Sequence, residues 1–505
     1  MIESEATRIA KGSAYIAIQG VVTILMGATT MAFTARILTQ TEMGVTVALT
    51  LVLGLAQIFS DIGFNRGLAK HIAEYRGKGT DYSVILFTGV MAKVSLAVFI
   101  GVLYVLTASQ LSGVLLKTTT YGLLFQVVSI NVILGCVNVT TDIFLLGLSK
   151  ISEIAALNMA RAVVRYLSTI ALLLLGCGLL GLVAGWIFGD LAYAIPSIII
   201  TFKGRQFKIP SSQETVSYLK VLARFSWPLL LTNLLVFLYN WIDRTVLLAY
   251  LPLAEVAVYN VAFTAFGVFS FIPTALGTTL FPYFTEQFGK EKPEKITVGV
   301  QAASRYIALV FTPLALGLAI TANPTIMLFA GPTYASGDVV LLILSLCAAV
   351  SSLGPAFGGL LLVYNMTPMI LVINVVSVGV SLVMSLLLLP FLGVIGIALV
   401  RGSTTILLFF LTFLAVSRRV KIKLDKEAIW KSWAAATVMF AAIAAIEQVN
   451  SHRYLLPLFV LVGGIMYAIA LRLLKAISEE DIELIRKLLG NRADFLVETL
   501  RRILT

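Results

Sequence analysis

Five basic side chains stand inside stretches of the chain that are otherwise apolar: Lys93, Arg161, Arg165, Arg244 and Arg401. Asp142, Asp190 and Asp243 share that setting, and Asp61 sits near the end of such a stretch. An ionised group near the centre of a bilayer costs roughly 2.5–3.5 kcal/mol on insertion scales, so residues of this kind face a cavity or a partner. Arginine grips phosphate with two parallel hydrogen bonds and lysine meets it as a point charge. One reading is therefore a cationic cavity for an anionic substrate, with Arg161 and Arg165 one helical turn apart on a shared face. Arg36, at the outer end of the first apolar run, is either a further ligand or an interfacial anchor. Asp61, Asp142, Asp190 and Asp243 would serve as sites for a coupling Na⁺ or H⁺. The competing reading is that the charges neutralise one another as structural ion pairs, Asp243 with the adjacent Arg244 among them, or snorkel to an interface.

Nothing in the chain points to catalysis, and an enzyme is not expected. There is no nucleophile motif, no phosphate-binding Gly-x-x-x-x-Gly-Lys loop and no carboxylate-rich loop. Cys136, Cys177 and Cys347 lie in apolar surroundings, and His71 and His452 are the two histidines, so neither a disulfide framework nor a metal cluster is implied. No cofactor is expected beyond the coupling ion.

The elements that must hold these charges follow from composition. The chain has 505 residues, 59% of them hydrophobic and only 12% charged, with a mean hydropathy of +0.98. A soluble protein is nearer half apolar and a quarter charged. At about 20 apolar residues per crossing, this is an all-α polytopic membrane protein with no large soluble domain. Spans are expected at about 13–35, 44–64, 83–107, 120–147, 153–176, 179–202, 222–248, 257–281, 303–328, 334–362, 367–389, 392–416, 430–447 and 455–474, fourteen in all. The first run is too long for a secretory signal core.

Charge asymmetry tests that parse. With the N-terminus in the cytoplasm, 29 of the 37 Lys and Arg residues fall on the cytoplasmic side, and only Arg36, Lys117 and Arg453 fall outside. The positive-inside rule then places both termini in the cytoplasm, with the protein in the cell membrane. The net charge of +12 is accounted for by this asymmetry and by attraction to anionic membrane lipids, so no nucleic-acid partner is invoked.

Spans one to six recur in seven to twelve. Ser13 matches Ser226 and Glu42 matches Glu255 at an offset of 213, and Gly178-x-x-Gly181 recurs as Gly393-x-x-Gly396 at 215. The basic run Arg76–Gly79 corresponds to Lys290–Lys292. An even number of helices per copy gives both copies one orientation, with a pseudo-twofold axis along the membrane normal. The expected organisation is an N-lobe (1–202), a cytoplasmic linker (203–221), a C-lobe (222–416), two extra spans (417–475) and an amphipathic cytoplasmic tail (476–505), with the chain acting as a monomer. Ser478 to Asp481 reads as a helix start for that tail. Pro273, Pro313 and Pro355, inside spans eight, nine and ten, are expected to kink them.

Fourteen spans in two repeats plus two, the segment Arg36-Ile-Leu-Thr-Gln-Thr-Glu42-Met-Gly44, the run Glu74-Tyr-Arg-Gly-Lys-Gly79 and the paired Gly-x-x-Gly joins resemble the multidrug/oligosaccharidyl-lipid/polysaccharide (MOP) exporter superfamily. Within it the likeness is to the polysaccharide-transporter branch, the Wzx-type flippases. The resemblance implies a secondary-active flippase that moves a polyprenyl-phosphate- or diphosphate-linked oligosaccharide from the cytoplasmic to the outer leaflet by alternating access. Its lipid tail would stay in the bilayer, in a groove near the extra spans. Span one lacks the proline and acidic residue of many drug-exporting members and the internal arginines of lipid II flippases. A drug/cation antiporter and a lipid II-type flippase are the alternatives; a membrane glycosyltransferase would need a loop domain that this chain does not contain.

Overall fold

The computed structural model describes residues 2–61, 64–78, 83–148, 150–202, 211–449, 453–479, 481–483 and 501. Among them there is no β-strand. A bilayer core offers backbone amides no water, so each segment must close its own hydrogen bonds, and helices result. Twelve helices among the described residues are long and apolar enough to cross a membrane.

The chain packs as two units, Met1–Ala257 and Val258–Thr505. The first contains α1 (Ile2–Ile37), α2 (Gln40–Asp61), α3 (Phe64–Gly77), α4 (Ser83–Leu116), α5 (Gly122–Gly147), α6 (Ile151–Leu174), α7 (Gly178–Phe202), α8 (Ser212–Tyr250) and the first turn of α9 (Leu253–Gly289). α6 packs on α1 and α7, α5 on α4 and α7, and α8 on α2, α3 and α4. The Thr39-to-Glu42 segment starts α2. The Thr39 N–H and hydroxyl both donate to Glu42 Oε2, at 2.9 and 2.8 Å, and the Glu42 N–H donates back to Thr39 Oγ1. This reciprocal cap satisfies helix-end donors that would otherwise lack partners.

The second unit holds the rest of α9, then α10 (Pro293–Ile320), α11 (Ala322–Phe329), α12 (Asp338–Ser351), α13 (Gly354–Val363), α14 (Thr367–Ser417), α15 (Lys426–Val449) and α16 (Leu456–Leu473). α15 lies on α10 and α16 on α15 around Leu316, Met439, Ile443 and Phe459. Polar bonds pin the same interface, from Ser432 Oγ to the Ala308 carbonyl at 2.7 Å and from the Tyr467 hydroxyl to the Leu309 carbonyl at 2.8 Å.

At 51 residues, α14 would run about 76 Å at 1.5 Å per residue, far beyond the ~30 Å hydrocarbon core. Gly393, with φ 52°, breaks it into two pieces. Its repeat mate Gly178 has φ 51°. Both glycines thus have a positive φ, which costs glycine little and other residues more.

Three expectations need correction. The segment left between spans two and three holds a further helix: Phe64, Leu68 and Ile72 repeat every four residues and form α3. Leu68 and Ile72 are buried against Leu86 of α4 and Ile143 and Phe144 of α5. Pro355 does not bend a helix interior. The chain breaks after Ser351, and Pro355 sits in the first turn of α13, where a missing N–H leaves no bond unmade. Pro273 and Pro313 do lie within α9 and α10. Finally, α8, assigned from sequence to the C-lobe, packs within the first unit. The amphipathic tail beyond residue 483 falls almost wholly outside the described residues, but its start is as expected: the Ser478 N–H and hydroxyl both donate to Asp481 Oδ2 at 2.8 Å.

Candidate functional site

Lys93 lies in α4 with only 1% of its side chain exposed. Its ammonium stands 3.3 Å from Asp61 Oδ1 at the end of α2 and donates a hydrogen bond to Asn65 Oδ1 in the first turn of α3. The Asn65 N–H in turn donates to Asp61 Oδ1 at 3.1 Å. One carboxylate therefore both neutralises the buried cation and holds the start of the next helix. Cys136 Sγ donates to the Lys93 carbonyl at 3.4 Å, tying α5 to the same point.

These groups border a cavity of about 370 Å³ inside the first unit. α2 contributes Gly54, Gln57, Ile58, Ser60 and Asp61; α5 contributes Gly135, Cys136 and Val139; α8 contributes Asn233, Phe237 and Trp241. The volume lies in the range of small-molecule sites, and the lining has their usual character, apolar and aromatic with a few placed polar groups. The neutral Lys93–Asp61 pair and several amides give one end of such a space hydrogen-bond donors and acceptors.

A second cluster joins α5, α6 and α7. Arg161 Nη2 meets Asp190 Oδ1 at 2.6 Å, and Asp190 is 3% exposed. Asn131 Nδ2 donates to Asp190 Oδ2 at 2.8 Å, and Asn138 Nδ2 donates to the Asp190 carbonyl at 3.2 Å. Asp142 accepts from the Tyr193 hydroxyl and, at 3.5 Å, from Asn158 Nδ2. Arg165, one turn from Arg161, has its guanidinium 5.1 Å from the Trp186 ring centre.

The structure thus brings Lys93 together with Asp61, and Arg161 with Asp190, as ion pairs in which Lys93 and Asp190 are buried and their partners partly exposed. The first pair borders the cavity and the second is locked among amides. Arg244 is 8% exposed and lies over the Trp241 ring at 4.7 Å, while the neighbouring Asp243 carboxylate accepts from the Arg244 backbone N–H at 2.8 Å. Arg401 of the second unit lies 5.5 Å over the Phe263 ring. Arg36 is exposed at the end of α1.

Two groupings escaped the sequence. Gln57, Asn65, Asn233, Phe237 and Trp241 are uncharged, and only the four-residue spacing of the last three along α8 hints at a shared face. Arg305, near the middle of α10, was counted only as a topological charge. It donates to Asp425 Oδ2 at 3.0 Å, to Asp481 Oδ1 and Oδ2 at 3.0 and 2.5 Å, and to the Ala476 carbonyl at 2.9 Å. The Tyr306 hydroxyl adds a bond to Asp481 at 3.1 Å.

Comparison with known proteins agrees with this architecture. The family model described as polysaccharide biosynthesis protein matches residues 9–288, more than half of the chain, and the MatE model matches residues 228–387. The probable low-salt glycan biosynthesis flippase Agl15 of Haloferax volcanii is 20% identical over 431 residues, covering 85% of this chain and 88% of that protein. The lipid II flippase MurJ in an inward closed conformation shares the fold with a TM-score of 0.75 at 12% identity, over 90% of this chain and 97% of that one. An inward-facing multidrug resistance MATE family transporter aligns with a TM-score of 0.62 at 13% identity, over 79% and 94%. The chain is a multi-pass membrane protein that belongs to the polysaccharide biosynthesis protein family of the MOP exporter superfamily.

Proposed function

We propose that the protein is a secondary-active flippase that carries a polyprenyl-phosphate- or diphosphate-linked oligosaccharide from the cytoplasmic to the outer leaflet by alternating access. The observation that carries this reading is the fully buried Lys93 ammonium at a 370 Å³ cavity. The ammonium rests against Asp61, so a phosphate entering the cavity would take that carboxylate's place on it, and the glycan flippase among the relatives fits the same substrate class. Fourteen crossings result when α14 is counted on both sides of Gly393 and α8, with its 39 largely apolar residues, is counted once. An even number puts both termini on one side, which the positive-inside rule makes the cytoplasmic one. Arg165, and Arg161 once released from Asp190, supply further positive charge in the first unit, and Asp142 or Asp190 takes the coupling Na⁺ or H⁺.

Reconstituted vesicles carrying lipid-linked oligosaccharide provide the test. Lys93→Ala, and Arg161→Ala combined with Arg165→Ala, are expected to abolish translocation while the purified protein stays monodisperse; full activity in all of these variants would remove the anion-site assignment. Transport that ignores both the Na⁺ and the H⁺ gradient would remove the coupling assignment.

The MatE match favours a second reading, a drug/cation antiporter. Mass spectrometry of co-purifying ligands separates the two, since the flippase reading requires anionic lipids and the antiporter reading requires organic cations.

A further inference from the structure

The cavity beside Lys93 has a second wall that an anion does not need. Asn233, Phe237 and Trp241 follow at four-residue intervals on α8 and face the same space as the ion pair. The Phe237 and Trp241 rings stack with centroids 5.8 Å apart and planes 22° apart. From Asn233 to Trp241 the wall runs about 12 Å along the helix at 1.5 Å per residue. Arg244 lies over Trp241 and steadies the indole from beyond the cavity lining.

The opposite side is shaped to fit. A Cβ on Gly54 of α2 would stand 2.7 Å from Phe237 Cε2, so the missing side chain is what lets the ring lie against the α2 backbone. A Cβ on Gly135 of α5 would stand 2.9 Å from Gln57 Nε2, so that glycine makes room for the Gln57 amide at the cavity edge. Two close approaches thus seat one aromatic ring and one amide around the same space.

Stacked aromatic rings with amides at their margin suit a molecule that has an apolar C–H face and a rim of hydroxyls. Amides donate and accept at once, as hydroxyl groups require, and aromatic rings offer broad apolar surface to the C–H face. A pyranose has this character; a bare phosphate and an isoprenoid tail do not. We propose that the first unit holds a saccharide subsite in which Trp241 and Phe237 pack on the proximal sugar ring, Asn233 and Gln57 bond its hydroxyls, and the phosphate attached to that sugar meets Lys93. This rests on the anion site proposed above and adds that the protein reads the first sugar, so the lipid phosphate alone is a poor cargo.

Binding calorimetry on the purified full chain with short soluble probes tests it. The probes are farnesyl diphosphate and the same diphosphate carrying one glucose or one N-acetylglucosamine. The wild type is expected to bind a sugar-bearing probe about tenfold or more tighter than bare farnesyl diphosphate. Trp241→Ala should lose that advantage and keep its affinity for the bare diphosphate, whereas Trp241→Phe, which keeps an aromatic face, should retain part of it. Asn233→Ala, which trims a half-buried cavity-lining amide rather than an aromatic ring, gives an independent readout should the indole prove necessary for folding, and is expected to reduce the preference severalfold. Lys93→Ala should weaken all three probes alike. Equal wild-type affinity for bare and glycosylated probes, or an undiminished sugar preference in both Trp241→Ala and Asn233→Ala, would overturn the subsite while leaving the anion site standing. Wild-type protein that binds none of the probes would overturn both.

Discussion

Replacing Arg305 with alanine is expected to release the chain that follows α16. Arg305 ties the loop before α15, through Asp425, to the segment after α16, through Asp481 and the Ala476 carbonyl. Removing one partner of a buried ion pair costs about 3–5 kcal/mol, because the remaining charge is left without compensation. Here Asp481 is 8% exposed and Arg305 is 21% exposed, so water reaches part of the pair and the lower end, about 3 kcal/mol, applies. At about 1.4 kcal/mol per factor of ten, the open form of this segment would rise on the order of a hundredfold. Limited trypsin digestion of the protein in detergent reads that population, because cleavage that is slow relative to closing follows the opening equilibrium. The expected product is early loss of the tail at Lys475, Arg486 or Lys487, with the transmembrane part intact. Arg305→Lys keeps the charge without the planar fork and should fall between. Cleavage of Arg305→Ala within about twofold of wild type, with an unchanged unfolding temperature, would refute the reasoning.

Two further outcomes follow from the charged clusters. Arg161→Ala leaves the buried Asp190 carboxylate without its cation and, with Arg161 25% exposed, should cost about 3 kcal/mol, while Arg161→Ala with Asp190→Ala should cost less than the sum of the single changes; strictly additive shifts in thermal unfolding would show that the two side chains are not coupled. Burial opposes ionisation of Asp481, but hydrogen bonds from Arg305 and from the N–H and hydroxyl of Ser478 outweigh it and hold the carboxyl below its ordinary value. A lowered folded-state value means that the stabilisation is fully present above the unfolded value, about 3.9, and is lost as pH falls through the folded one. The gap in unfolding temperature between wild type and Asp481→Asn should therefore be constant near neutrality and close below about pH 4; a gap that persists unchanged to lower pH would sink the assignment.

Much of the fold is legible in the linear chain because the bilayer imposes length and polarity locally. The expected spans 120–147 and 179–202 lie within a residue or two of α5 and α7. Gly178 and Gly393, paired in the expected repeat, both have a positive φ that favours glycine, so the residue type itself marked them in the sequence. α3 was missed because Arg66, Lys70 and Arg76 mask an apolar stripe only two turns long. Pro355 was misplaced because residue type alone does not say whether a proline lies inside a helix or opens one.

Hydropathy and charge asymmetry, read along the chain, determined that the protein lives in a membrane, about where it crosses, and which few charges must be explained. Tertiary structure alone decided what those charges do. Lys93 faces Asp61 across a helix gap, Arg161 faces Asp190 from a different helix, and Asn233, Phe237 and Trp241 close a cavity with Gln57. The reason is geometric: spacing sets which residues share a face of one helix, but the rotation and depth of each helix against its neighbours set which faces meet, and those depend on packing between segments far apart in the chain.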